Sequence, residues 1–389
     1  MVLGYNKYNV LTNVLNYLPN MKICFIGNLS SIHTIRWIQP VIDAKHEVYV
    51  VSYRKNILPL SGAKEIIDLE SNLNIRKIRF VLWGIWLRSY LQKIQPDILH
   101  AHQIPAAGWL GTMTGFHPFV ITGWGSDLLM EYRKSLFRKM LIKVVLTHTD
   151  FLTVPSKIMY NAALNLGYPK EKLHLIPWGI ETNIFKPDHN QGLETRKNLK
   201  LDERIPVILC PRGIDPIYNL DIALDACHSI LSDFPDLRLL LLRYNINPNY
   251  LKTLEHKITS YRMEANVIWL PAQISFDDMA CLYQTSDVVL SIPSSEGYGF
   301  SVYEAMACGI PTIISDLPVF EDDLHDRLHV IKVPVRDINK TALALENALK
   351  DMRLRQTLIQ NGLIRCIDMS VQNRITQVEG FYQYIMKCM

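Results

Sequence analysis

Between Ser291 and Asp316 the chain reads SIPSSEGYGFSVYEAMACGIPTIISD, a buried strand, a glycine-rich turn, a helix and a second strand in unbroken succession. The apolar run Val288 to Ile292 lacks polar alternation, so it is expected to be covered on both faces, and Pro293, Ser294 and Ser295 stop it. Ser301-Val-Tyr-Glu304 has the spacing of a capping box at a helix start. Gly309 suits the position just past that helix, and Pro311 prevents its continuation before the strand Thr312 to Ser315. A glycine turn that delivers the chain to a helix N-terminus leaves backbone N–H groups pointing outward, which suits phosphate or sugar oxygens. Glu296 and Glu304 flank that turn with seven residues between them. Read locally, Glu304 is the N3 member of the capping box and Glu296 a solvated loop acid. Read as a site, both face a ligand.

The same alternation runs along most of the chain. Met21 to Gly27 reads as a strand, Ser30 to Ala44 as a helix through Ile32, Ile35, Ile38, Val41 and Ile42, and Glu47 to Ser52 as the next strand. Gly27-Asn28 stands where a dinucleotide enzyme would carry G-x-G-x-x-G, so that fingerprint is absent. Arg76 to Gln95 reads as a basic amphipathic helix before the strand Ile98 to His102, and Phe119 to Gly123 is a further strand. Leu128 to Leu146 is expected to be one helix with an apolar stripe bordered by Arg133, Lys134, Arg138, Lys139 and Lys143; it fits an interfacial helix, or a surface helix with a solvated basic face. Strand Phe151 to Val154 and the turn Pro177-Trp178-Gly179 close this half.

The polar stretch Lys186 to Arg204 reads as a linker, after which the pattern restarts. Strand Val207 to Cys210, a helix capped by Asn219, strand Leu237 to Leu242, helix Tyr250 to Thr259, strand Val267 to Leu270 and helix Phe276 to Gln284 lead back to the opening stretch. Two helices, Lys340 to Asn361 and Gln372 to Lys387, end the chain. Strands alternating with helices on both sides of a linker predict an α/β protein with two doubly wound parallel sheets. At 389 residues the chain exceeds a single core, and the boundaries expected are 21–185 for the first domain, 186–204 for the linker, 205–370 for the second domain and 371–389 for a C-terminal helix packing on the first. Residues 1–20 have no signal-peptide pattern, and the fold is expected to begin at Met21; a chain starting there should keep its activity and melting temperature.

Composition narrows the function classes. No run approaches the roughly 18 apolar residues of a membrane span. Seven scattered cysteines with no C-x-x-C pair suggest reduced thiols in a cytoplasmic protein and no zinc site. The charge is lopsided: residues 1–190 hold 21 Lys and Arg against 12 Asp and Glu, whereas the remainder is acidic. The basic half calls for an anionic partner, a membrane surface or a phosphate-bearing lipid. Nucleic acid is set aside, because no aromatic-interleaved RNA motif or recognition helix accompanies the charge.

The pair Glu296 and Glu304 inside SSEGYGFSVYEAMACGIPTIISD resembles the E-x7-E signature of the retaining glycosyltransferases of family 4. IPWGIETNIFKP at 176–187, DILHAH at 97–102, GSD at 125–127 and PRG at 211–213 agree in order, so the resemblance covers nearly all of residues 21–389. It implies the GT-B fold of two facing Rossmann-like domains. It further implies transfer of a hexosyl unit from a nucleotide diphosphate sugar to an acceptor hydroxyl with retention, the leaving diphosphate oxygen helping to deprotonate the acceptor. No metal and no cofactor are implied, the nucleotide sugar being a substrate.

Residue by residue, the resemblance makes Glu296 the acid that holds hydroxyls of the sugar, and Glu304 the acceptor of hydrogen bonds from the ribose. The stretch Gly297, Tyr298, Gly299, Phe300 and Ser301 offers amides to the sugar and diphosphate. Arg212 becomes the diphosphate arginine, and His102 faces the reacting sugar with Glu296 and Arg212. His100 is assigned to the opposite strand face and to the core. Gly27 and Asn28 border the diphosphate on the first turn, where a larger side chain than glycine would block approach. Trp124, Ser126 and Asp127 are assigned to the acceptor. One departure stands out: the family usually has a lysine a few residues after the arginine, and here Gly213-Ile-Asp-Pro-Ile-Tyr-Asn219 holds no cation. Tyr218 and Asn219 are expected to donate neutral hydrogen bonds instead, or Lys157 to take over the charge. The acceptor expected is a lipid-linked or cell-surface glycan precursor, met at the cytoplasmic membrane face through the basic N-terminal domain. A nucleotide-sugar epimerase of the same fold and a catalytically impaired nucleotide-sugar-binding scaffold remain as alternatives.

Overall fold

The computed structural model describes residues 20–55, 58–72, 79–132, 135–271 and 274–389. Residues 1–19, Arg76, Arg133 and Lys134 lie outside them. The chain forms two compact units, one running to Val154 with Ala163–His174 and Glu379–Met389, the other comprising Pro155–Ala162 and Leu175–Val378.

The first unit is built on seven strands: β1 Lys22–Gly27, β2 Glu47–Ser52, β3 Glu65–Asp68, β4 Ile98–His102, β5 Phe119–Thr122, β6 Phe151–Val154 and β7 Leu173–Leu175. Their order is β3-β2-β1-β4-β5-β6-β7, with parallel pairing from β3 through to β6. The order reverses between β1 and β4, where Ile26 stands beside Ala101. Helix α1 Ile32–Asp43 follows β1, a short helix α2 Leu69–Asn72 follows β3, and α3 Arg79–Ile94 leads into β4. Then come α4 Trp109–Thr114 and α5 Leu136–Thr147, while α6 Lys157–Asn165 belongs to the second unit up to Ala162 and to the first from Ala163. Right-handed crossovers put α3, α4 and α5 on one face of the sheet and α1 on the other. The strands were legible because they are apolar on both faces, as parallel strands must be. Two were not: β3 is the half-exposed Glu-Ile-Ile-Asp and β7 only three residues long.

The second unit carries β8 Val207–Cys210, β9 Arg238–Leu242, β10 Val267–Leu270, β11 Val288–Ser291, β12 Thr312–Ser315 and β13 Ile331–Val333, in the order β10-β9-β8-β11-β12-β13 and parallel throughout. Its helices are α7 His189–Asn198, α8 Leu220–Ser229, α9 Pro248–Ser260, α10 Phe276–Thr285, α11 Phe300–Ala307, α12 Ile338–Lys350, α13 Met352–Asp368 and the first part of α14 Val371–Cys388. One core joins Ile208, Leu239, Leu241, Leu290 and Ile313 of the strands to Leu224, Leu254, Leu345 and Leu358 of the helices.

Several local expectations need correction. The stretch read as a linker contains α7, opened by the Asp188 side chain, and Arg196 of that helix is buried in the second unit. The capping box at Ser301 does not form: helix α11 begins at Phe300 with Gly299 as its N-cap in the left-handed region, which a Cβ would strain. Asn219 is no side-chain cap either; it is left-handed, and its amide is used elsewhere. Leu128 to Leu146 is not one helix, because Asp127–Glu131 is a π-helical turn and Ser135 caps a separate α5. The expected helix 340–361 is two, divided at Asp351, whose carboxylate caps α13. No helix among the described residues is long and apolar enough to cross a membrane.

Candidate functional site

In the second unit the order reverses between β8 and β11, and ligands of open α/β sheets bind beyond the strand ends at such a point. The register Ile208 to Val288 and Leu209 to Val289 makes the residues just past both strands neighbours. Arg212 therefore meets the Glu296 turn, although 84 residues separate the two. Its Nε donates to Ser291 Oγ at 2.9 Å and its Nη2 to Glu296 Oε2 at 2.6 Å, both side chains largely buried. The guanidinium also lies over the Tyr218 ring, 5.5 Å from its centroid. Burial opposes the arginine's charge, but Glu296, with Tyr244 and Tyr218, outweighs it and raises its pKa. Glu296 Oε1 in turn accepts the amides of Gly297 at 2.9 Å and Tyr298 at 3.4 Å.

The rest of the turn is set by what lies beneath it. Ser156 Oγ donates to the Gly297 carbonyl at 2.7 Å, and the Tyr298 hydroxyl donates to the Trp178 carbonyl. Tyr298 and Phe300 are buried with Trp178, so these two side chains brace the turn and only their backbone is available to a ligand. At Gly299 a Cβ would come within 2.6 Å of Phe320, so close packing as well as φ of +89° requires glycine. Ser301 Oγ is buried without a hydrogen-bond partner among the described residues. Glu304 accepts from the Tyr283 hydroxyl at 2.8 Å. Burial, then Glu304, pushes the Tyr283 pKa far up, so the phenol remains a donor.

The segment without a lysine is accounted for differently from expectation. Tyr218 supplies its ring face to Arg212, and burial keeps its hydroxyl protonated despite that cation. Asn219 is fully buried and already bonded: Nδ2 donates to Ile292 O at 2.8 Å and Ser294 Oγ at 2.9 Å, while Oδ1 accepts from Arg336 Nη1 at 2.8 Å. It pins the loop ahead of Glu296 rather than facing a ligand. Lys157 pairs with Asp322 at 3.0 Å on an exposed surface. Arg336, which also pairs with Asp221 at 2.8 Å, is a cation of this region that sequence reading missed. It lies 117 residues from Asn219, so no local pattern linked them.

In the first unit the reversal lies between β1 and β4. A Cβ at Gly27 would meet Thr34 Cγ2 at 2.7 Å and His102 Cβ at 3.6 Å, so this glycine serves strand–helix packing rather than ligand approach. Asn28 Oδ1 accepts from Ser30 N and Oγ, turning the chain into α1. His100 and His102 share a face, contrary to the assignment above: residues two apart in a strand point the same way, and the rings stack at 4.9 Å. His100 is fixed by the Tyr382 hydroxyl on Nδ1 and Thr122 Oγ1 on Nε2, both at 2.8 Å. Both His102 ring nitrogens are buried without partners among the described residues, and burial pushes its pKa down to about 3, so the ring is neutral.

Asp127 is buried rather than open to an acceptor. Its Oδ2 accepts the amides of Ile104 at 2.9 Å and Trp124 at 3.1 Å, stapling the loops after β4 and β5. Trp124 sits edge-on to His33 and Ser126 is exposed. Gln103 adjoins this staple with φ of 86° and accepts from the Tyr53 hydroxyl at 2.7 Å; neither residue was singled out from sequence. Burial raises Asp127 from 3.8 to about 7 against those hydrogen bonds. A raised carboxyl binds its proton more tightly folded than unfolded, so its stabilising contribution is full below pH 3.8 and is lost as pH rises towards 7. Asp127→Asn should flatten that stretch of the stability–pH curve in urea titrations; an unchanged slope would show that Asp127 does not titrate there.

No group of three or more His, Cys, Asp or Glu among the described residues could hold a metal ion. Residues 22–156 match the family described as "Glycosyl transferase 4-like" and residues 193–365 that described as "Glycosyl transferases group 1". A curated relative, the D-inositol 3-phosphate glycosyltransferase of Acidothermus cellulolyticus, is 23% identical over 226 residues, 56% of this chain and 49% of the relative's length. This chain thus spans about half of that relative. Among solved structures, sucrose-phosphate synthase of Thermosynechococcus elongatus superposes with a TM-score of 0.81 at 19% identity, covering 95% of this chain and all of that one. The HepE protein of Anabaena, in complex with UDP and glucose, gives 0.78 at 17% identity over 93% of this chain and 99% of its own.

Proposed function

Because the chain belongs to the glycosyltransferases of the family 4-like group and has the GT-B fold, we propose that it moves a hexosyl unit from a nucleotide diphosphate sugar to an acceptor hydroxyl with retention and without a metal ion. The observation that carries this reading is the buried Arg212–Glu296 pair at the topological switch point, beside the amides that open α11. Arg212 spends Nε and Nη2 inside the protein, and its Nη1 makes no hydrogen bond among the described residues, so it can donate to a leaving diphosphate and stabilise the charge growing there. Glu296 holds hydroxyls of the sugar, and Glu304, bonded to neutral Tyr283, accepts from the ribose. His102, buried in the first unit, is neutral, and its two ring nitrogens have no hydrogen-bond partner among the described residues. The leaving oxygen takes the acceptor proton on the same face. Asn219 and Arg336 position the loop that presents Glu296.

The acceptor is a lipid-linked or cell-surface glycan precursor, and the reaction runs at the cytoplasmic face of a membrane. The excess of Lys and Arg in residues 1–190 supports this. The test is a thermal-shift panel of nucleotide sugars on the purified chain, UDP-glucose first, followed by transfer to lipid-linked acceptors with NMR assignment of the new anomeric centre. Transfer with retention is expected. Isomerised free sugar without transfer would make the protein an epimerase, and binding without turnover would make it a scaffold.

A further inference from the structure

Helix α5 has two apolar arcs. Ile142, Val145 and Leu146 are buried in the first unit. Leu136, Phe137, Met140 and Val144, spaced to lie together on another arc, face outward, with exposures of 81, 74, 67 and 41%. Helix α3 repeats the arrangement: Trp83, Leu87 and Leu91 are buried, while Val81, Ile85 and Trp86 are exposed. Both helices pack against α4, from the same side of the sheet. Their charges agree. Neither helix contains an Asp or Glu, and together they carry Arg79, Arg88, Lys93, Arg138, Lys139 and Lys143. Arg79 pairs with Glu70 and Arg138 with Glu131, whereas Arg88, Lys93, Lys139 and Lys143 have no ion pair among the described residues.

We infer that this face of the first unit docks on an anionic phospholipid bilayer, with Phe137, Leu136 and Met140 entering the headgroup boundary and the four unpaired cations meeting lipid phosphates. The inference rests on the lipid-linked acceptor proposed above and names the surface that reaches it. A large aromatic with aliphatic neighbours, edged by cations on two helices that themselves carry no acid, matches the interfacial region of a bilayer. A soluble monomer gains nothing from a phenylalanine three-quarters exposed.

The test floats the full chain with vesicles of phosphatidylglycerol and phosphatidylcholine, or of phosphatidylcholine alone, at low ionic strength. Wild type should partition to the anionic vesicles and be released by salt. Phe137→Glu with Met140→Glu should weaken partitioning about 100-fold, near tenfold for each large side chain withdrawn. Lys139→Ala with Lys143→Ala should weaken it by about 30-fold and reduce the salt sensitivity. All four positions are exposed, so melting temperature and nucleotide-sugar thermal shift should stay at wild-type values. Equal partitioning of wild type and variants, or no flotation of wild type, overturns the inference. So does a lipid-free dimer in sedimentation velocity that the glutamate variant abolishes, because the face would then serve a second copy. Flotation without any nucleotide-sugar shift would instead fail the proposed function and leave the docking surface standing.

Discussion

Arg212→Ala is expected to lower the rate of sugar transfer by about 10²- to 10³-fold, the scale for losing one preorganised electrostatic contact to a leaving group. Three partners hold the guanidinium in place: Ser291 Oγ, Glu296 Oε2 and the ring of Tyr218. A lysine at 212 cannot reproduce the fork that reaches both oxygens, so Arg212→Lys should recover only part of the rate. Glu296→Ala should cost a similar factor, because Arg212 then loses its orienting partner and the turn amides of Gly297 and Tyr298 lose their acceptor. The double variant should fall well short of the product of the two losses, since each single change already breaks the same pair. Single-turnover rates check this, with the melting temperature reporting on the fold. Wild-type turnover in either single variant would remove the pair from the reaction.

Arg196→Ala should destabilise the protein by about 3–5 kcal/mol, the cost of leaving a buried ionic network without its cation. Arg196 Nε donates to Thr285 O at 3.0 Å, and Nη1 to the carbonyls of Asp202, Glu203 and Ile205 at 3.2, 2.9 and 3.1 Å. Nη2 meets Asp287 Oδ2 at 2.8 Å, an oxygen that also accepts the Val207 amide. One side chain thus ties α7, the loop after it, the end of α10 and the starts of β8 and β11. Alanine leaves three carbonyls of that loop and the Thr285 carbonyl without this donor and leaves the Asp287 carboxylate with the Val207 amide alone, which costs more than the bonds themselves were worth. Urea unfolding should show a lower midpoint with an unchanged slope. A loss below about 1 kcal/mol would mean that water replaces the guanidinium without penalty.

The fold class was legible because apolar strands buried on both faces leave a mark that does not depend on their neighbours: β1, β8 and β11 are mostly Val, Ile, Leu, Cys or Phe between turn residues. The strands β3, β7 and β13 escaped because each has only two apolar residues, flanked by acids in Glu-Ile-Ile-Asp and split by a polar residue in Leu-His-Leu and Ile-Lys-Val. Helix α7 escaped for another reason. Its composition is polar, and what holds it is a single arginine whose partners lie far along the chain. The capping-box reading at Ser301 failed because Gly299 in the left-handed region starts the helix two residues earlier than the motif requires.

For the candidate site, sequence by itself determined that a glycine turn bearing Glu296 leads into a helix bearing Glu304, since all of it lies in one contiguous stretch. It determined too that Arg212 follows a strand. Only the tertiary structure decided that Arg212 reaches Glu296, that Asn219 is consumed by Ile292, Ser294 and Arg336, and that Asp127 is a buried staple. It also decided which arc of α5 is covered. The physical reason is common to all four. Local pattern records the backbone each segment can adopt, whereas hydrogen-bond partners and burial are set by which strands lie side by side, and β8 beside β11 is a pairing that no neighbouring residue encodes.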